Sequence, residues 1–265
     1  MIPAAVTVRF DELSLDELNA RAALLTRVDL KYIVDQRTLG AFADAIARDF
    51  LVLEIESRRV FTYETVYFDS AALDAYHAHV QGRRRRFKVR SRRYADSDRH
   101  VFELKLKGPR GATVKHQLPI DAAEHGAMTE RTETFAREVL VEAYGGGLPG
   151  EIGPALTMTY RRVTLAAREG AERVTIDFGL TFGAAALAPG RAIVETKCER
   201  GRGTADRAFL ALGVRPVECS KYCAGIGLTR RDVRANPWLP VLRRHFVARS
   251  YDQCPMEAWP RPRLG

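Results

Sequence analysis

The stretch Arg84-Arg85-Arg86-Phe87-Lys88-Val89-Arg90-Ser91-Arg92-Arg93-Tyr94 decides how this chain folds. Arg84, Arg86, Lys88, Arg90 and Arg92 share one parity, while Phe87 and Val89 take the other. Successive side chains of a strand point to opposite faces, so the pattern predicts a strand with one cationic and one apolar face. A polar turn (Ala95-Asp96-Ser97-Asp98) leads into residues 101–107, where Glu103, Lys105 and Lys107 alternate with Phe102, Leu104 and Leu106. Gly108-Pro109-Arg110-Gly111 is a tight loop, and residues 113–120 return carrying Lys115 and Gln117. Together the three segments predict an antiparallel meander.

The same alternation extends in both directions. Residues 27–34 place Arg27, Asp29 and Lys31 on one face. Residues 60–68 are a strand rich in aromatic and β-branched residues. Further strands span 156–166, 173–178 and 192–198, with Arg162, then Arg173 and Asp177, then Glu195 and Lys197 on the polar parity. Between them the spacing predicts helices: 14–25, opened by a Ser14/Glu17 capping box; one capped by Asp35 or Thr38 and running through Phe50; a short one beginning at Asp69-Ser70; then 129–143 and 204–212. Ser220-Lys221-Tyr222 enters a last segment, and Asn236-Pro237 starts another helix. The organisation expected is one domain over 1–235, followed by a C-terminal helix and a tail over 236–265.

Composition narrows the function. The 265 residues are 46% hydrophobic and 28% charged, the balance of a globular protein. No run approaches the roughly 20 apolar residues of a membrane span, and the N-terminus lacks the basic-then-apolar pattern of a secretory signal. Four cysteines (198, 219, 223 and 254) make no disulfide framework in a chain of this length, so a cytoplasmic location is expected. Lys and Arg number 42 against 33 acidic residues, a net charge of +9, which calls for an anionic partner.

The polar parity of all the strands together holds twelve basic residues, including Arg27, Arg86 and Lys107, against the acids Asp29, Glu103, Asp177 and Glu195. An antiparallel sheet with one solvated face also alternates, but like charges directly opposite one another destabilise a sheet. The expectation is therefore a mainly β (α+β) protein: a closed antiparallel β-barrel forming a tunnel, cationic inside, with helices packed outside. Such a lumen implies a polyanionic ligand. Isolated glutamates among cations suit Mg2+ or Mn2+ bridging to phosphate, or else internal salt bridges.

Several motifs occur in the order seen in a known family. They are Arg27-Val28-Asp29-Leu30-Lys31-Tyr32, Tyr67-Phe68-Asp69, Lys88 to Tyr94, Phe102-Glu103-Leu104-Lys105, Tyr160-Arg161-Arg162, Arg173 to Asp177, Val194-Glu195-Thr196-Lys197 and Ser220-Lys221-Tyr222. Over about residues 20–228 the chain resembles the VTC domain, the polyphosphate polymerase domain of the triphosphate tunnel metalloenzyme (CYTH-like) superfamily. The resemblance implies a tunnel barrel and a metal-dependent phosphotransferase that moves the γ-phosphate of ATP, or another nucleoside triphosphate, onto inorganic polyphosphate. By position it implies that Lys31, Arg90, Arg92, Lys105, Lys115, Arg162, Arg173 and Lys221 bind phosphate and that Glu195 holds the metal. The full expected set has Lys31, Arg90, Arg92, Lys105, Arg162 and Arg173 in catalysis, and Lys88, Lys107, Lys115, Lys197 and Lys221 on phosphate. Mn2+ or Mg2+ would lie on Glu195, joined by Glu103. Asp29 stands where the family usually has Glu, and no SPX-like domain or membrane segment accompanies the motifs, so a transport role does not carry over.

A triphosphate or polyphosphate hydrolase on the same tunnel is the alternative; it needs a group to handle water, for which Asp29, Glu103 and Asp177 are candidates. Nucleic acid is the rival ligand, with residues 83–93 as a phosphate-tracking stripe. It is disfavoured because the cations alternate with apolar residues and no stacking aromatics are read on the basic face. Gly145-x-Gly147-x-x-Gly150 fits a dinucleotide fingerprint only formally, since Pro149 and Pro154 deny it a following helix. Cys219-x3-Cys223 lacks further zinc ligands, and His77 and His79 read as surface residues.

Overall fold

A computed structural model of the chain describes residues 6–21, 28–108, 113–199 and 201–248. The alternating segments form strands β2 (Val28–Asp35), β4 (Phe61–Ser70), β5 (Phe87–Tyr94), β6 (Arg99–Lys107), β7 (Thr113–Ile120), β8 (Ile152–Ala167), β9 (Arg173–Phe182) and β11 (Arg191–Cys198). Antiparallel ladders order them β2-β11-β9-β8-β4-β5-β6-β7. Short strands extend the sheet at its ends: β3 (Phe50–Leu53) pairs with β8 and, in parallel, with β1 (Asp11–Leu13). At the other end β10 (Ala185–Leu187) joins β9 to β12 (Phe246–Ala248).

The apolar parity faces outward and is covered by helices. Helix α2 (Gln36–Ile46) is capped by Asp35, which accepts from the Thr38 N–H, and buries Leu39, Phe42, Ala43 and Ile46 at helical spacing. With α5 (Thr204–Ala211) it covers β2, β9 and β11, where Phe209 stacks between Tyr32 and Phe42 at centroid distances of 4.2 and 3.9 Å. Helix α4 (Glu130–Tyr144) covers the meander and meets Phe102, Leu104 and Ile120. A third cluster fills one end of the concave side. There α3 (Asp74–Val80), α6 (Lys221–Thr229) and α7 (Leu239–His245) bring Tyr76, Tyr222, Ile226 and Leu242 against Tyr67, Met158 and Leu180. At the opposite end α1 (Leu15–Arg21) lays Leu18 over Leu53 and Ala166.

The expected closed barrel is not what forms. The sheet curls, but among the described residues no ladder joins its two edge strands, β2 and β7. On the outer edge of β2 the Val217 N–H donates to the Lys31 carbonyl at 2.7 Å, occupying one position that a closing strand would use. Pro119 on β7 has no N–H to give a ladder. The helix expected through Phe50 ends at Ile46, and Phe50–Leu53, with every residue buried, forms β3 instead. The short helix read from Asp69-Ser70 begins at Asp74, because β4 runs on through Ser70. Strands β1, β10 and β12 are too short for alternation to reveal. Arg27, the 109–112 loop and the tail beyond Ala248, with Cys254, lie outside the described residues. No helix among those described is long and apolar enough to cross a membrane.

Phe209 is fully buried between two rings, so Phe209→Ala should cost about 3–5 kcal/mol. Urea unfolding should show a lower midpoint with an unchanged slope.

Candidate active site

Side chains from all eight principal strands converge on one concave cavity of about 570 Å3. The registers explain how. Lys31, Glu195, Thr175 and Thr164 are direct partners across β2, β11, β9 and β8 and share one rung. Asp29, Lys197 and Arg173 form the next rung. Across the meander Lys115, Lys105 and Lys88 are aligned, as are Gln117, Glu103, Arg90 and Tyr67. Lys221 comes from the first turn of α6, whose N-cap Ser220 accepts from the Cys223 N–H. That helix is pinned from behind: the buried Asp69 carboxylate accepts from the Ala75 and Tyr76 N–H groups, both at 2.9 Å, and from the Tyr222 hydroxyl.

Of the residues expected in the site, Lys31, Lys88, Arg90, Arg92, Lys105, Lys115, Arg162, Arg173, Lys197, Lys221 and Glu195 all line the cavity. Lys107 and Arg86 do not reach its lining, and neither does Glu103. Glu103 is 1% exposed and surrounded by donors: one oxygen takes Arg90 at 2.5 Å and Arg92 at 3.5 Å, the other Gln117 at 2.7 Å and Lys115 at 3.4 Å. Asp177 plays the same part opposite. Arg162 meets it as a bidentate fork at 2.6 and 2.8 Å, and Lys221 joins at 2.6 Å. Lys105 faces Asp29 at 4.0 Å, spanning from β6 to β2 where no ladder does.

The basic face does carry aromatics, contrary to the sequence reading. Arg92 and Arg162 lie over the Tyr63 ring at 5.4 and 5.1 Å. Arg162 and Lys221 lie over Tyr160 at 5.3 and 5.4 Å, and Arg90 over Tyr67 at 5.8 Å. Each contact is worth about 0.5–2 kcal/mol, and at Tyr67 the hydroxyl also accepts from Arg90 Nη1 at 3.1 Å. These tyrosines come from β4 and β8, so no single strand shows the interleaving. His79 is also not a surface residue: it is half-buried with Nε2 3.2 Å from the Phe87 carbonyl.

Crowding leaves its mark on the titrating groups. Burial lowers Lys88 to about 8 and, against the opposing pull of Glu195 and Asp29, Lys105 to about 7. Burial would raise the Glu195 carboxyl, but Lys197, Lys31, Lys105 and Lys221 outweigh it and hold it well below the usual range. For the same reason, through Arg162 and Lys221, Asp177 falls to about 2. Glu195 is thus ionised, and Lys197 lies 3.0 Å from it. Among the described residues no group of three His, Cys, Asp or Glu could hold a metal. A divalent cation here would need oxygens from its ligand. The donors at hand fit a hard, oxygen-loving ion: the Glu195 carboxylate and, directly across the ladder, a buried Thr175 hydroxyl with no partner among the described residues.

The VTC domain family model matches residues 26–230. Among solved structures, HpAC1 from Hippeastrum, described as revealing a dominant triphosphatase activity, is 15% identical; the match covers 76% of this chain and 96% of that one at a TM-score of 0.51. The PH1819 protein from Pyrococcus horikoshii is 16% identical over 74% of this chain and 93% of that one, at a TM-score of 0.41. The Pct1 RNA triphosphatase of S. pombe, in complex with the Spt5 CTD, is 12% identical over 72% and 68%, at 0.29. No curated protein matches the sequence.

The lowered lysines give a pH signature. An unfolded chain holds both at the ordinary value, so it binds more protons than the folded one from about pH 7 upward, and stability without ligand should rise with pH. The window closes near pH 8.5, where unfolded thiols begin to ionise. A bound polyanion needs the lysines charged, so the gain in melting temperature from tripolyphosphate should shrink over the same window. Melting curves from pH 7 to 8.5 should show both trends, and Lys88→Met with Lys105→Met should flatten both.

Proposed function

The chain belongs to the VTC-domain family, and on that footing we propose a polyphosphate polymerase-like phosphotransferase. It would bind the phosphate tail of ATP, or of another nucleoside triphosphate, in the cavity and pass the γ-phosphate to a polyphosphate chain. The observation that carries this reading is the convergence of eleven of the expected residues on one cavity in which Glu195 is the sole acidic side chain of the described lining. Phosphoryl transfer asks a protein mainly for positioning and for neutralisation of spreading charge. Arg90, Arg92 and Arg162, braced by carboxylates and tyrosine rings, would grip phosphate with planar forks. Lys31, Lys105, Lys197 and Lys221 would supply adjustable point charges.

A divalent metal, Mn2+ or Mg2+, would be held by Glu195 and would neutralise the phosphate oxygens when bound. Glu103, its oxygens engaged by cations, acts in this reading as a brace and not as a metal ligand. An attacking phosphate is already ionised at neutral pH and needs no general base. Hydrolysis needs a group to handle water, and of the three candidates Glu103 and Asp177 are committed to close ion pairs while Asp29 faces Lys105 at 4.0 Å. That commitment favours the polymerase over the hydrolase. It also argues against duplex nucleic acid, because these cations face inward and not along an outer surface.

Purified protein incubated with ATP and Mn2+ should make long polyphosphate. Release of free phosphate alone would establish the hydrolase, and no turnover of ATP would overturn the reading. The arginine geometry gives a second test. Arg90→Lys keeps the charge but loses the fork, and should cut turnover roughly 10²-fold. Arg93 faces the other way, onto Glu64 at 3.2 Å and Asp98 at 2.9 Å, and Arg93→Lys should stay within twofold. Equal effects at both positions would contradict the inward grip.

A further inference from the structure

Thr175 lies on β9 between Arg173 and Asp177, directly across the ladder from Glu195 on β11 and from Thr164 on β8. It is 4% exposed and lines the cavity. Its Oγ1 is buried and makes no hydrogen bond among the described residues. A hydroxyl that has lost water and gained no partner destabilises a fold, whereas a valine of the same shape would not. Among the described residues the group is thus left open to a partner supplied by a ligand.

Two chemistries could supply one: a phosphate oxygen, to which the hydroxyl would donate, or a cation, onto which its oxygen would coordinate. The surroundings favour the second. Donors for phosphate are already plentiful, with lysines and arginines on every side. Oxygen ligands for a cation are scarce, since Glu195 is the one carboxylate of the described lining. Directly opposed residues of a ladder have Cβ atoms about 4.5–5.5 Å apart, close enough for two side chains to share an ion. A neutral hydroxyl adds an oxygen ligand without a further negative charge, which hard divalent cations accept. We propose that the Thr175 hydroxyl is a second protein ligand, beside Glu195, for the divalent cation of a metal–triphosphate. The inference rests on the reading of the cavity as a triphosphate site.

The test compares wild type, Thr175→Val and Thr175→Ser, using tripolyphosphate either metal-free or loaded with Mn2+. Calorimetry gives the affinity for each form, and melting curves follow the protein without ligand. Wild type should prefer the Mn2+-loaded form. Thr175→Val should lose about tenfold of that preference, with metal-free affinity unchanged. Its melting point without ligand should rise by about 2–4 °C, because the orphan hydroxyl is gone. Thr175→Ser should keep the preference. Equal loss for both forms would assign the hydroxyl to phosphate and overturn the proposal. So would no loss at all, or a fall in the melting point of Thr175→Val, which would reveal a partner within the fold. Wild type that binds neither form would instead defeat the triphosphate reading itself.

Discussion

Positive charge on a concave surface is the constraint from which the rest of this structure follows. A curled sheet brings like charges from different strands closer than a flat one would, and burial weakens the screening by water. Three devices hold the cations in place. Glu103 and Asp177 each gather several at once, tyrosine rings support the guanidinium groups from below, and burial lowers the pKa of Lys88, Lys105, Lys115 and Lys197. What remains is a face that is folded but electrostatically incomplete, as the proposed triphosphate site requires.

The helices serve that face although most never touch it. Phe209 and Phe42 anchor the outer side of β2, β9 and β11, which fixes the register placing Lys31, Glu195 and Thr175 on one rung. Asp69 ties α3 and Tyr222 together, and thereby sets Lys221 at the cavity from the end of a helix. Packing energy on the apolar parity is thus spent on geometry at the polar one.

Strand parity made much of this legible in advance. The 84–94 stretch, read alone, separates inward Arg90 and Arg92 from outward Arg93, and the structure keeps that division. What parity could not show depends on neighbours in space. Tyr63, Tyr67 and Tyr160 read as ordinary strand aromatics until the ladders bring arginines over them. Thr175 reads as a β-branched filler, and only the lack of a partner for its hydroxyl among the described residues distinguishes it. Closure failed as an expectation because alternation within a strand does not say what meets its edge, and at β2 one edge carbonyl takes the Val217 N–H. Glu103 and Glu195 look alike in sequence, and direct contacts separate brace from candidate ligand: Arg90, Arg92, Lys115 and Gln117 lie within reach of Glu103, whereas Lys197 is the ion-pair partner of Glu195 among the described residues.

The central claim is that the concave face is built to receive a single polyanion. Titrating tripolyphosphate into the wild-type chain by calorimetry, at low and at raised salt, tests it most directly. The account predicts one ligand per chain, bound with an affinity that falls steeply as salt rises. Absence of binding at low salt, or several ligands held weakly and alike, would contradict it.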